Sequence, residues 1–322
     1  MKTINNQDPK SNMIDVDTKK LLTGIKFLVI SFLLSSCFLT SAQAQTKVKS
    51  KPSDSTFSFV YVTDIHLDYK NNSVQYFDKA ITKINNLKPE FIVTGGDNIM
   101  DAGYPSESRA DSLYELYKSE IKRFNMPVHT GIGNHESFGV NNPKISPENP
   151  MYGKKMYESK LGKRYYTFSN KGWKFFMLDD IMETGTRGQY SACIDDEQMG
   201  WLKKELAATD SLTPIVICSH IPYFSSLPSM KIIKSGPLEK SRDNDGISNS
   251  LEFFKLFAHH NLKLVLQGHI HFFEVLYANG ITYVSGAPLT GAIWRTLTKE
   301  NGLCLFTIKG DDLTWKFIEN KL

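Results

Sequence analysis

Apolar residues recur along this chain in short runs, many of them closed by glycine, aspartate, asparagine or histidine. Residues 57–62 form a β-rich run, 73–87 carry apolar residues at helical spacing, and 90–94 form a second run. Together they predict a strand, a crossover helix and a parallel strand in one βαβ unit. Further strands are predicted over 126–130, 165–168, 173–178, 214–218, 262–266, 281–284, 303–308 and 313–318, and helices over 106–124, 195–208 and 249–260. Asp195 stands where an N-cap belongs, with Met199, Leu202 and Leu206 on one helical face. Strands alternate with helices early and follow one another late, with no internal repeat. That order predicts an α/β fold of mixed sheets packed face to face with helices outside. Such folds place ligands at loops leaving the C-terminal ends of parallel strands.

The first residues predict export. Lys19, Lys20 and Lys26 precede an apolar run over 27–39, and Ala42-Gln43-Ala44 supplies a small-x-small cleavage pattern, giving a signal peptide over 1–44 and a periplasmic or extracellular protein. The run is shorter than the about 20 residues that a membrane span needs. Two alternatives stand beside this reading. Leu34-Ser35-Ser36-Cys37 resembles a bacterial lipoprotein box, which would anchor the chain through Cys37, although Phe38 and Leu39 continue the apolar run. Met13 is an alternative start. Residues 45–55 are polar and read as a linker, leaving 56–322 as the domain.

Removing 1–44 takes away five of 38 basic and three of 34 acidic residues, leaving 33 against 31. So small an excess carries no nucleic-acid footprint, and no nucleic-acid partner is expected. The cysteines left, Cys193, Cys218 and Cys304, have no paired spacing and do not read as a disulfide framework; Cys218 and Cys304 lie in apolar runs and read as core thiols.

Candidate chemistry sits at the ends of the runs. Asp64-Ile65-His66, Gly96-Asp97-Asn98, Gly133-Asn134-His135-Glu136, Ser219-His220 and Gly268-His269-Ile270-His271 each put a metal-type ligand after a strand-like segment, and five of the eight histidines lie in them. Alone, each string occurs by chance; together they predict a site for two divalent cations. Asp97 follows two glycines, which let the backbone turn sharply, and its two oxygens can bridge both ions. Asn134, His220 and His269 complete one ion, and Asp64, His66 and His271 the other. His135, beside Asn134, is left free to serve as the catalytic acid. Imidazole, carboxylate and amide donors without thiolate favour Mn or Fe/Zn over Ca or Mg. His129 reads as a strand residue near the site, and His259 and His260 as helix C-terminal residues.

The series Asp-x-His, Gly-Asp, Gly-Asn-His-Glu, His and Gly-His-x-His, running in order through about 60–290, resembles the calcineurin-like metallophosphoesterase superfamily. Within it, the residues around 133–136 and 219–222 are most similar to bacterial cyclic-nucleotide-phosphodiesterase-like exported phosphohydrolases. The resemblance implies a four-layer α/β/β/α sandwich of two mixed sheets and a two-metal phosphoester hydrolase, with a hydroxide bridging the ions. Two departures matter. His66 and Met100 stand where purple acid phosphatases have glycine and tyrosine, so no tyrosinate-to-iron colour is expected. Many members orient the catalytic histidine with an aspartate at the position of Met100; here Asp101, one residue on, is the candidate for that role. A fold of this family that serves as a catalytically silent scaffold is the second class of function, and it would be expected to have lost ligands that this chain retains.

Substrate choice falls to the loops. Residues 138–157, and 223–246 with Lys231, Lys234, Lys240 and Arg242, are long enough to act as lids. Trp294 and Arg295 would suit a base and a phosphate. A small-molecule phosphoester is the expected substrate, and these features do not separate nucleotide, sugar-phosphate and phospholipid.

Overall fold

A computed structural model describes residues 56–227, 229, 246–290 and 300–322. The expected signal peptide, linker and Cys37, the basic residues 231–242, and Trp294 and Arg295 lie outside them.

Alternation along the strands decides the layers. In β1 (Thr56–Val62), Phe57, Phe59 and Tyr61 face one way and Val60 and Val62 the other, as a period of two requires. The first set packs toward a second sheet and the second set toward helices. β1 lies in a five-stranded sheet with β2 (Phe91–Thr94), β3 (Val128–Thr130), β12 (Gly302–Lys309) and β13 (Asp312–Glu319), in the order β13-β12-β1-β2-β3. The other sheet has six strands: β4 (Tyr166–Asn170), β5 (Trp173–Met177), β8 (Pro214–Cys218), β9 (Asn261–Gln267), β10 (Glu274–Ala278) and β11 (Ile281–Ser285), in the order β10-β11-β9-β8-β5-β4.

Between the sheets lies an apolar layer that includes Phe59, Phe91, Phe175, Phe306, Val216, Leu264, Cys218 and Cys304. Phe59 stacks on Phe306 at 4.9 Å and on Phe91 at 5.3 Å, and each such fully buried ring contributes about 2–3 kcal/mol of burial. Cys193, Cys218 and Cys304 are all free and buried. Outside the first sheet, α1 (Ser73–Leu87) and α2 (Glu107–Ile121) bury Phe77, Ile81, Ile84, Leu113 and Tyr117. Outside the second, α4 (Asp196–Ala207) and α5 (Ser250–Leu256) bury Leu202, Leu206 and Phe253. The architecture is therefore the four-layer α/β/β/α sandwich of two mixed sheets flanked by helices.

Asp195 caps α4 by accepting the Gln198 backbone N–H at 2.8 Å. Other boundaries differ from expectation. The helices predicted to run to 124 and 260 end at Ile121 and Leu256. Three pieces were not foreseen: α3 (Lys155–Leu161), the edge strand β10, and a two-stranded ribbon of β6 (Ile181–Glu183) and β7 (Tyr190–Ala192).

β1, β2 and β3 run parallel, as do β5, β8, β9 and β11. The five motif stretches leave the C-terminal ends of β1, β2, β3, β8 and β9.

Candidate dinuclear metal centre

Past the end of β1, the chain stays hydrogen-bonded to the segment leaving β2. Asp64 donates its N–H to Gly96 O (3.1 Å), His66 to Asp97 O (2.9 Å) and Leu67 to Asn98 O (3.1 Å). This pairing sets Asp64 and His66 beside Asp97 while bending the backbone out of strand geometry. Asp64, His66, Asp97, His269 and His271 all have positive φ, between 47° and 67°. Left-handed backbone is uncommon for residues other than glycine, and its clustering marks sites where surrounding structure enforces a shape.

Asp64, His66, Asp97 and His271 present ligand atoms within 4.8 Å of one another, and Asp97, His220 and His269 form a second such group, so Asp97 belongs to both. His66 Nε2 lies 3.0 Å from His271 Nε2, and His271 Nε2 lies 3.1 Å from Asp64 Oδ1. On the other side, His220 Nε2 stands 3.2 Å from Asp97 Oδ2 and 3.2 Å from Asn134 Oδ1, and His269 Nδ1 stands 3.0 Å from the same amide oxygen. Asp64, His66, Asp97 and His220 are buried. The structure thus brings the seven expected residues together in two groups that share Asp97.

Donor chemistry fits divalent cations. Burial pushes His66 down to about 3 and His269 down to about 4, so both offer neutral imidazoles. Burial also opposes charge on His220, but Asp97 opposite its Nε2 outweighs that and carries it up to about 10. Burial alone would raise the carboxyl of Asp97; the His220 and His135 imidazoles hold it well below the ordinary range. Asp64 is lowered in the same way by His271. A cation held through Asp97 would take the place of the His220 proton. His220 donates from Nδ1 to Gly95 O at 2.8 Å, which fixes the tautomer with the Nε2 lone pair facing the centre.

His135 sits apart from both groups. Its Nδ1 lies 2.6 Å from Met100 O, the geometry of an N–H donated to that carbonyl, and its Nε2 looks toward Asp97 Oδ2 at 3.8 Å. Asp101 was expected to orient this ring, and here the geometry differs: its carboxylate is 3.8 Å from Nδ1, beyond hydrogen-bond reach, and is engaged by the N–H groups of Gly103 and Tyr104 at 3.0 Å each. The ring is oriented by a main-chain carbonyl, and Asp101 contributes nearby charge. Burial lowers His135, but Asp97 and then Asp101 prevail and raise it. His129, expected near the site, instead stacks on Phe168 at 3.5 Å and meets Phe91 edge-on.

Two carboxylates hold the centre from behind. Glu136, fully buried, accepts N–H from Asp97 (3.0 Å) and Gly133 (2.6 Å) on Oε2 and from Asn98 (2.7 Å) and Ile99 (3.3 Å) on Oε1, tying the β2 loop to the β3 loop. Burial, with Asp97 pushing the same way, moves its carboxyl up to about 7 against those N–H groups. Gly133 leaves the room this needs: a Cβ there would fall 2.3 Å from Asp97 Oδ1. Asp180, at the end of β5, accepts both the Ser219 hydroxyl and the Ile221 N–H (2.6 Å) on one oxygen and so clamps His220 from both sides. Burial raises its carboxyl to about 6. Glu136 was visible in the sequence beside the ligands but carried no assigned role. Asp180 had no signal beyond its place after an apolar run.

A sequence model of the calcineurin-like phosphoesterase family matches residues 57–273. Over 130 residues the chain is 30% identical to the uncharacterized metallophosphoesterase Cj0846 of Campylobacter jejuni; the match takes in 38% of this chain and 32% of the relative, so it spans about a third of that protein's length. Among solved structures, a dimetal phosphatase from Danio rerio superposes with a TM-score of 0.60 at 14% identity, over 82% of this chain and 96% of that one. GAP50, described as the anchor in the inner membrane complex of Plasmodium, superposes with a TM-score of 0.55 at 15% identity, over 83% and 85%. At such identities the two structures speak for the fold alone.

Proposed function

Since the chain belongs to the calcineurin-like phosphoesterase family, we propose that it is a metal-dependent phosphoric ester hydrolase in which Asp64, His66, Asp97 and His271 hold one divalent cation and Asp97, Asn134, His220 and His269 the other. The observation that carries this is the single buried carboxylate of Asp97 standing in both ligand groups, with His135 facing it from outside either. The two cations, Mn or Fe/Zn by donor type, supply charge against the phosphoryl oxygens and make a nucleophile available from water near neutral pH.

The chain's own residues do the rest. Asp97 fixes the spacing of the two halves, and Glu136 fixes Asp97. The Met100 carbonyl holds the His135 ring so that Nε2 faces the reacting centre. Asp97 and Asp101 favour a proton there, and that proton passes to the leaving oxygen as its bond to phosphorus breaks.

The test is turnover of p-nitrophenyl phosphate and bis-p-nitrophenyl phosphate by metal-stripped and Mn-restored protein, beside His135→Ala. Metal-dependent turnover is expected to fall by about 10²–10⁴-fold in the variant, with its metal content unchanged, and the preferred ester distinguishes monoesterase from diesterase. Two bound ions with no turnover of either ester would favour the silent scaffold instead.

A further inference from the structure

A cavity of about 190 Å³ opens beside the centre on the face that presents Asn134 and His135. One wall is the chain just after His135; the other is the β6–β7 ribbon, where Glu183 and Tyr190 lie opposite each other in register. Resting on the hydrolase reading above, we propose that this cavity receives the leaving alcohol of the substrate, and that the alcohol carries an ammonium group.

Position assigns the half of the substrate. The leaving oxygen must lie at His135 to take its proton, and His135 lines the cavity, so the alcohol extends into it while the phosphoryl group stays over the ligand groups. The ester bond to phosphorus breaks, a new bond forms from a water oxygen, and the proton from Nε2 moves to the alkoxide, so the alcohol leaves neutral at oxygen.

Charge assigns its chemistry. Asp101 and Glu183 line the cavity, and among the described residues neither lysine nor arginine does. Asp101 is gripped by two turn N–H groups, and Glu183 lies against Gly153, where a Cβ would come within 2.6 Å of its Oε1. A further phosphate on the alcohol would face two like charges, whereas an ammonium group meets two carboxylates and the rings of Tyr104 and Tyr190.

A buried polar group points to a polar ligand in this cavity independently of the acids. Ser137 lines the cavity, is 3% exposed, and its hydroxyl has no partner within the protein. Buried hydroxyls are rarely left so, and a ligand donor or a hydroxyl of the alcohol completes it. The volume lies below the roughly 300–1,000 Å³ of sites for drug-sized ligands, which limits the alcohol to a short chain.

The experiment compares matched ethanolamine and ethylene glycol esters, each as the phosphomonoester and as the methyl phosphodiester, with the Mn-loaded full-length protein. We expect kcat/KM to favour the ethanolamine ester at least tenfold in whichever series is hydrolysed. Glu183→Gln should bring that ratio toward one, and Glu183→Lys should invert it for esters of ethanolamine against esters of glycolic acid. Equal rates for the two alcohols, or a ratio unmoved by both substitutions, overturn the subsite. If the unaltered protein turns over neither these esters nor the p-nitrophenyl esters, the hydrolase reading fails, and the subsite with it. Turnover of the p-nitrophenyl esters alone overturns the subsite only.

Discussion

Glutamine at position 136 keeps the shape of the buried glutamate and removes half of its accepting capacity. The carboxylate receives four main-chain N–H groups, two on each oxygen. An amide can still accept two of them, but its NH₂ then points at the other two donors. Hydrogen bonds to a charged acceptor contribute about 1.5–3 kcal/mol each, so above pH 7, where this carboxyl is ionised, losing two costs roughly 3–6 kcal/mol. That is a large part of the about 5–15 kcal/mol that holds a domain folded. At about 2–4 °C per kcal/mol for larger domains, the melting temperature should fall by roughly 10 °C or more. The same donors belong to Asp97 and its neighbours, so Mn affinity should fall with stability, by about 10–100-fold as for other groups that orient ligands. Thermal melts and Mn titrations of Glu136→Gln check both. A melt within about 2 °C of the unaltered protein, with unchanged Mn affinity, would refute the claim that Glu136 holds the β2 and β3 loops together.

Three further outcomes follow from the contacts of His220 and Asp180. With its pKa carried up to about 10, His220 holds a proton that a cation must displace, so Mn affinity at that half of the centre should rise about tenfold per pH unit between pH 7 and 9; a flat profile in Mn titrations would contradict this. The same shift stabilises the metal-stripped fold fully below pH 6.5 and is lost as pH climbs through about 10, so melts of stripped protein should lose that contribution across this window, and His220→Gln should not show it. At Asp180, alanine removes the acceptor shared by Ser219 and Ile221, while asparagine can keep an oxygen there. Metal titrations should show a loss of about 10–100-fold for Asp180→Ala and little change for Asp180→Asn; equal affinities in the two variants would deny Asp180 a part in positioning His220.

The clustering of Asp64, His66, Asp97, Asn134, His220, His269 and His271 was legible because metal-type donors at the ends of apolar runs leave a pattern of residue type and order. The packed mixed sheets were legible because strands alternate with helices early and follow one another late, and the count of four layers came from the family resemblance. Main-chain partners leave no such trace. The family resemblance pointed to the Asp101 carboxylate for His135, and the acceptor is the Met100 carbonyl. The β6–β7 ribbon was missed because three residues to a strand are too few to establish a period. That ribbon carries Glu183 and Tyr190, so one wall of the cavity beside the centre was out of reach as well.

The positive φ angles connect the centre's shape to its stability. Five ligand residues sit in left-handed backbone, at about 1–2 kcal/mol each for residues other than glycine; Asp and His tolerate it better than most, so roughly 5 kcal/mol is a fair total. Against it stand local contacts that need no ion: the N–H groups on Glu136, the Asp180 clamp, and His269 N–H on both oxygens of Asp64 at 3.1 Å. Cations add to this by mass action, about 4 kcal/mol per site at a thousandfold excess over Kd. Chelation should therefore lower the melting temperature by about 10 °C or more at 2–4 °C per kcal/mol. Because the strain lies in the loops and the aromatic layer lies between the sheets, lost hydrogen-exchange protection should be confined to residues 63–68, 95–99, 131–137, 219–221 and 268–271. An unchanged melt after chelation would mean that the loops keep their shape without the cations, and protection lost equally in β1, β8 and β9 would mean that the cations stabilise the sheets as much as the loops.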